Sequence, residues 1–293
     1  MTASITPVSQ HDGTTITRAA AGERMMMDGG TAPLATVLQK LADRAEFAKD
    51  AVAFGRPIGA GTFSVDSGGS NSSFTVRIGS ISALVLYRNA GYKVFAYAGG
   101  TIGASKISGG GNLANSDWYY VYAYDNAGAL DFEISTTEPA ANGCTKNGDT
   151  TRIYIGCFPT LSTGAPVPLR KVGNRVVYNF AGSAVADTRV LNAGNATSNT
   201  AVDLAGLVPS HSRMATVRAE AVSTTGSANN YAFIRTEGES GADEINVPVP
   251  SINAASTMLV LDIITDADQD VAYRVSNFTS APTLTLFVHG FYE

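Results

Sequence analysis

Between Trp118 and Tyr124 the chain reads WYYVYAY, five aromatic rings in seven residues. Side chains alternate across a strand, so Trp118, Tyr120, Tyr122 and Tyr124 line one side, with Tyr119, Val121 and Ala123 on the other. Neither side offers water a charged or amide group. Such a strand belongs in the middle of a packed sheet or against another subunit, where tyrosine hydroxyls bond at the edges. A platform that stacks sugars or bases would set its rings among Arg, Lys, Asn or Gln, and this run has none. Trp118, Tyr120, Tyr122 and Tyr124 are therefore expected as a buried aromatic face. Past the turn DNAG, Leu130, Phe132 and Ile134 share one face, while Asp131 and Glu133 point the other way into water.

The rest of the chain from Gly61 has the same texture. SFTVRIGS, ISALVLYRNAG, YKVFAYAGG, TRIYIGCFPT and RVVYNF are short β-type runs bounded by Gly, Asn, Asp and Pro. Near Ala181 the sequence loosens into AGSAVADTRVLNAGNATSNTAV, and a second set follows, including NNYAFIRTEG, TMLVLDIIT, DVAYRVSN and TLTLFVHGFYE. No strand-helix alternation is present, so a parallel α/β sheet is not expected. Charged residues make up 15% of the chain, below the usual figure of about 25%, which also disfavours long salt-bridged helices.

Residues 1–30 are polar and rich in Thr and Gly, and read as an extended arm that orders on a partner. A helix then follows, capped by Thr31 with Pro33 in its first turn. Leu34, Leu38, Leu41, Ala45, Ala48 and Val52 recur at alternating steps of four and three, an a/d seam suited to a slender self-associating bundle. The expected fold is mainly β. An N-terminal extended arm and short coiled-coil-like helix (1–60) precede two antiparallel β-sandwich-like domains (61–180 and 181–293).

Several functions find no support in the residues. A net charge of −5 without a basic run gives no footprint for nucleic acid. No apolar stretch reaches the roughly 18 residues of a membrane span, and the first residues lack the pattern of a secretory leader. Cys144 and Cys157 bracket a hairpin-like segment, as a disulfide or, more in keeping with the missing leader, as two reduced thiols. They are too far apart for a CxxC pair, and His11, His211 and His289 are scattered, so Cys/His metal binding is not expected. Asp266, Asp268 and Asp270 open like a calcium loop, but Val271 and Asn277 stand where Gly and Glu are required. No GxGxxG, GK[ST] or GxSxG signature occurs, so no catalytic residue and no cofactor are assigned. Asp131 and Glu133 share a strand face, yet nothing supplies the groove that glycoside hydrolysis needs.

The segments WYYVYAYDNAGALDFEIST, GDTTRIYIGCFPT and PLRKVGNRVVYN resemble stretches that recur in fibre and related virion proteins of tailed bacteriophages. VDLAGLVPSHSRMATVRAEA and TLTLFVHGFYE are similar to the compact β tip domains of such proteins. The resemblance covers about four-fifths of the chain, from Gly61 to Glu293. It implies a structural, non-enzymatic homotrimer in the virion, made in the bacterial cytoplasm. Residues 1–30 would dock on other virion proteins, and the distal β part would face the host, with surface glycan as its ligand. No receptor-contacting residue comes with it, because the matching motifs are structural. Two alternatives remain: a capsid decoration fibre or tail adaptor without recognition, and a soluble carbohydrate-binding module with Tyr120 and Tyr122 exposed.

Overall fold

The computed structural model of the chain describes residues 3–5, 16–18, 26–27, 30–31, 62–88, 91–141, 143–179, 188–223, 230–239, 244–252, 254–276 and 282–293. The chain forms two compact units, Met1–Phe54 and Gly55–Glu293. In the first, β1 (Ala3–Ile5), β2 (Ile16–Arg18), β3 (Met26–Met27) and β4 (Gly30–Thr31) make a four-stranded sheet in sequential order. These short strands lie within the stretch read from sequence as an arm, except that β4 also takes in Thr31, the residue expected to cap the following helix. The proposed seam, Leu34 to Val52, lies outside the described residues.

In the second unit the strands are β5 (Phe63–Asp66), β6 (Thr75–Ile78), β7 (Ile81–Arg88), β8 (Gly91–Tyr97) and β9 (Gly100–Ile102). After a 3₁₀ turn at Ala104–Lys106 come β10 (Trp118–Asn126), β11 (Ala129–Ser135), β12 (Thr145–Lys146), β13 (Asp149–Pro159), β14 (Leu169–Val172) and β15 (Arg175–Tyr178). The remainder are β16 (Arg189–Gly194), β17 (Thr200–Asp203), β18 (Met214–Val222) and β19 (Tyr231–Thr236), then β20 (Ile245–Pro248), β21 (Ser256–Ile264), β22 (Asp270–Val275) and β23 (Thr283–Tyr292). The described residues are thus mainly β, and the named strands pair antiparallel throughout. Among them no helix is long and apolar enough to cross a membrane.

One sheet of nine strands runs β21-β18-β23-β15-β14-β5-β6-β9, with β16 also on β23. Smaller sheets run β11-β10-β13-β12, β17-β22-β19-β20 and β7-β8. The nine-stranded sheet takes strands from both sides of residue 181, where the sequence loosens. Its two parts join where β15 meets β23, with Arg175 opposite Tyr292, Val176 opposite Phe291 and Val177 opposite Gly290. A single buried cluster accordingly extends from Phe63 and Tyr122 to Val217, Ile234 and Phe291.

The local chemistry explains the pairings. Ala127 and Gly128 both take left-handed backbone angles, the geometry of a two-residue turn that matches strand twist. The Asp125 carboxylate closes that turn by accepting from the Gly128 N–H at 2.6 Å. At the β15–β23 junction, a Cβ on residue 290 would lie 2.0 Å from the Val176 carbonyl oxygen, so only glycine admits this approach. The alanine variant of Gly290 must push β15 away from β23, an overpacking that costs about 1–3 kcal/mol or more. At about 2–4 °C per kcal/mol, thermal unfolding should register a clear fall. Gly206, which has no atom within 4 Å of its Cβ position, is the control whose alanine variant should melt close to wild type.

Candidate functional site

Strand β10 stands between β11 and β13. Tyr120 and Tyr122 are 1% and 0% exposed, while Trp118 and Tyr124 at the two ends are partly buried. The Tyr122 hydroxyl donates to the Thr137 carbonyl at 2.7 Å, and the Trp118 indole N–H donates to the Ala205 carbonyl at 2.8 Å. The Asp131/Glu133 face, expected to meet water, is instead occupied by cations from the 3₁₀ turn, β12 and β13. Lys106 binds Asp131 at 2.6 Å, and Lys146 and Arg152 bind Glu133 at 2.6 and 2.8 Å. Arg152 also lies over the Tyr124 ring, 4.3 Å from its centre. Burial pushes the Asp131 carboxyl up, but Lys106 and the Phe132 and Asn126 donors outweigh it and hold the group below its ordinary value. A paired carboxylate of this kind is unsuited to act as a general acid.

On the tyrosine side of β10 the fold assembles a polar cluster that sequence spacing concealed. In a regular strand Tyr154 and Cys157, three residues apart, would point to opposite faces. The β10–β13 register shifts instead, with Tyr120 opposite Cys157, Val121 opposite Gly156 and Tyr122 opposite Tyr154. Ile155 is the extra residue, so this bulge turns Tyr154 and Cys157 to the same face. Lys171 reaches in from β14, and Glu293 follows β23. His211 arrives on the loop between β17 and β18, which is held by the Tyr178 hydroxyl on the Leu207 carbonyl and the Ser212 hydroxyl on the Tyr292 carbonyl.

Glu293 is the hub. Its Oε1 accepts from the Tyr154 hydroxyl at 2.6 Å and the Cys157 thiol at 3.1 Å, and its Oε2 binds Lys171 Nζ. Lys171 Nζ also donates to the Ile155 carbonyl at 3.1 Å. His211 Nε2 lies 3.4 Å from the Tyr154 hydroxyl and 3.9 Å from Glu293 Oε1, and its Nδ1 is buried without a hydrogen-bond partner. Burial raises the Cys157 thiol well above its ordinary value, and the Glu293 charge adds to this. Burial works against ionisation of Glu293 too, but Lys171, His211 and the donated hydrogen bonds prevail, so its carboxyl titrates below the usual range. Burial lowers the His211 pKa, against the opposing pull of the Glu293 charge. Lys171 and Glu293 form an ion pair beside the His211 imidazole and the Cys157 thiol. Cys157 is completely buried and donates to a carboxylate, so it is not arranged as a nucleophile beside a base. Cys144 and Cys157 are both buried, and no disulfide joins them.

The second candidate is a surface. Register places Met214 opposite Ile264 and Arg218 opposite Val260 on one face of the nine-stranded sheet, and the same face carries Val172 and Val177. Met258, Val260 and Ile264 on β21 are 60%, 51% and 57% exposed. The inward face, by contrast, buries Ala215, Val217, Ala219 and Val288. Among the described residues β21 pairs only with β18, so it is an open edge. Its Asp262 is engaged by Thr216 at 2.6 Å and Tyr292 at 2.9 Å. The Asp266–Asp270 turn needs no cation for its geometry: Asp266 Oδ1 accepts the backbone N–H groups of Asp268 and Asp270 at 3.0 and 2.7 Å.

No protein-family model and no curated protein matches this sequence.

The cluster is testable by unfolding. Replacing Lys171 with Met leaves the Glu293 carboxylate buried without its counter-charge, and the expected loss in urea denaturation is about 3–5 kcal/mol. Adding Glu293→Gln should recover most of that loss, since the double variant buries no unpaired charge.

Proposed function

We propose that this chain is the subunit of a homotrimeric fibre or spike in a tailed-phage virion, which attaches the particle to a host surface. The observation that carries the reading is the outer face of the nine-stranded sheet, where Val172, Val177, Met214, Met258, Val260 and Ile264 point to water from one side, interspersed with Arg170, Arg175, Arg218 and Glu220. Isolated exposed apolar residues are ordinary, but a sheet face that collects them beside an open edge strand needs a cover. The cover proposed is a second copy of the chain: three such faces around one axis bury each other and close the β21 edges. The edge carries no lysine to discourage pairing, and its Asp262 is already engaged within the chain.

In this reading residues 1–30 dock on other virion proteins, and the Leu34, Leu38, Leu41, Ala45, Ala48, Val52 seam sets the register of the three chains. The strands from Gly61 onward pack as β-sandwich-like layers, with those after residue 181 forming the distal tip. Attachment then works by multivalency, because three weak contacts on a rigid axis hold where one would release. The burial of Tyr120 and Tyr122 speaks against a ring platform, and with it against a soluble carbohydrate-binding module that uses those rings.

Light scattering on the full-length chain tests the reading. The wild type should have the mass of three chains at micromolar concentration. The double variant Met258→Lys/Val260→Asp should shift toward monomer with an unchanged circular dichroism spectrum, because both side chains already face solvent within the subunit. Leu38→Asp/Leu41→Asp should weaken the trimer through the seam. A monomeric wild type would overturn the proposal, and a trimer untouched by the β21 substitutions would remove the outer face from it.

A further inference from the structure

We infer that Cys157, His211 and Glu293 form a binding site for a single Zn²⁺ ion, with the Tyr154 hydroxyl as its fourth donor. Among the described residues, the donor atoms of Cys157, His211 and Glu293 lie within 4.8 Å of one another. In a tetrahedral zinc site with bonds of about 2.0–2.3 Å, neighbouring donors stand about 3.3–3.6 Å apart. Here Cys157 Sγ and Glu293 Oε1 are 3.1 Å apart, and His211 Nε2 and Oε1 are 3.9 Å apart. The Tyr154 hydroxyl stands 2.6 Å from Oε1 and 3.4 Å from Nε2. Movements of about an ångström bring the set to tetrahedral spacing.

The surroundings fit as well. Lys171 occupies Oε2 and is itself fixed by the Ile155 carbonyl, which leaves Oε1 aimed at Cys157, Tyr154 and His211. Outer partners of this kind orient a ligating carboxylate. His211 Nε2 makes only long contacts, to the Tyr154 hydroxyl and Glu293 Oε1, so a metal there displaces no short hydrogen bond of the imidazole. Mixed sulfur, nitrogen and oxygen donors in a closed site favour zinc over magnesium or calcium.

Charge and protons balance. The Cys157 S–H proton now lies on the line to Oε1; Zn²⁺ takes its place, the S–H bond breaks, a Zn–S bond forms, and one proton leaves to solvent. Thiolate, Glu293 and the nearby Glu138, which acts on His211 through its charge, then offset the ion and Lys171. The inference is independent of the assembly reading.

The test uses the full-length protein, stripped by a chelator and titrated with Zn²⁺ and separately with Co²⁺. One Zn²⁺ should bind per chain and raise the melting temperature by about 5 °C or more at saturating metal. Co²⁺ should give a thiolate-to-cobalt charge-transfer band, retained in Cys144→Ser and lost in Cys157→Ser. His211→Asn, at a partly exposed position, should melt like wild type without metal yet bind Zn²⁺ at least tenfold more weakly. The inference is overturned by the absence of stoichiometric binding, or by binding that survives both Cys157→Ser and His211→Asn.

Discussion

The pairing of β15 with β23 is the constraint on which the remainder of the second unit depends. It is a short ladder, made possible by the missing side chain of Gly290, yet it joins the strands before residue 181 to those after it. Without it the nine-stranded sheet would fall into two pieces. It also carries Glu293 past the end of β23 to Lys171, Tyr154 and Cys157. A carboxylate brought into a core from a distant part of the chain needs a cation waiting there. Lys171, two residues from Leu169 on the buried side of β14, supplies it.

The same strand separates two kinds of chemistry. On its inner side, Phe291 meets the Trp118 ring edge-on at 5.7 Å, and the Trp118 N–H holds the loop at Ala205. This side is closed and fixes the polar cluster. On its outer side, Gly290 and Tyr292 lie on the face shared with Val177 and Met214, both of which are exposed among the described residues. The proposed fibre subunit would need both properties, a rigid interior and an exterior that its neighbours complete. Zinc in the inner cluster would stiffen the junction that presents the outer face.

Part of this was legible in the residues. WYYVYAY has no polar face, and the fold places it between two strands; DNAG gives a two-residue turn because Ala127 and Gly128 adopt the left-handed angles it requires. The polar cluster was not legible, because its members stand at positions 154, 157, 171, 211 and 293 and are gathered by long-range pairing. The bulge at Ile155 also inverts the face that period-two reading assigns to Tyr154 relative to Cys157. Asp131 and Glu133 read as a wet face because their cations come from Lys106, Lys146 and Arg152, far from them in the chain. In TMLVLDIIT an apolar residue on either face looks like core, and only the tertiary fold shows that Met258, Val260 and Ile264 lie on the exposed face of the sheet. The Leu34–Val52 seam lies outside the described residues and stays a sequence reading.

The central claim is that Gly55–Glu293 is one cooperative unit closed by the β15–β23 ladder. Hydrogen exchange across a urea series, with peptides followed separately, tests it most directly. Peptides from β10 and β13 should lose protection at the same urea concentration as those from β18 and β22. If β18 and β22 open at a clearly lower concentration while β10 and β13 stay protected, the two parts fold independently and the ladder is not the junction described.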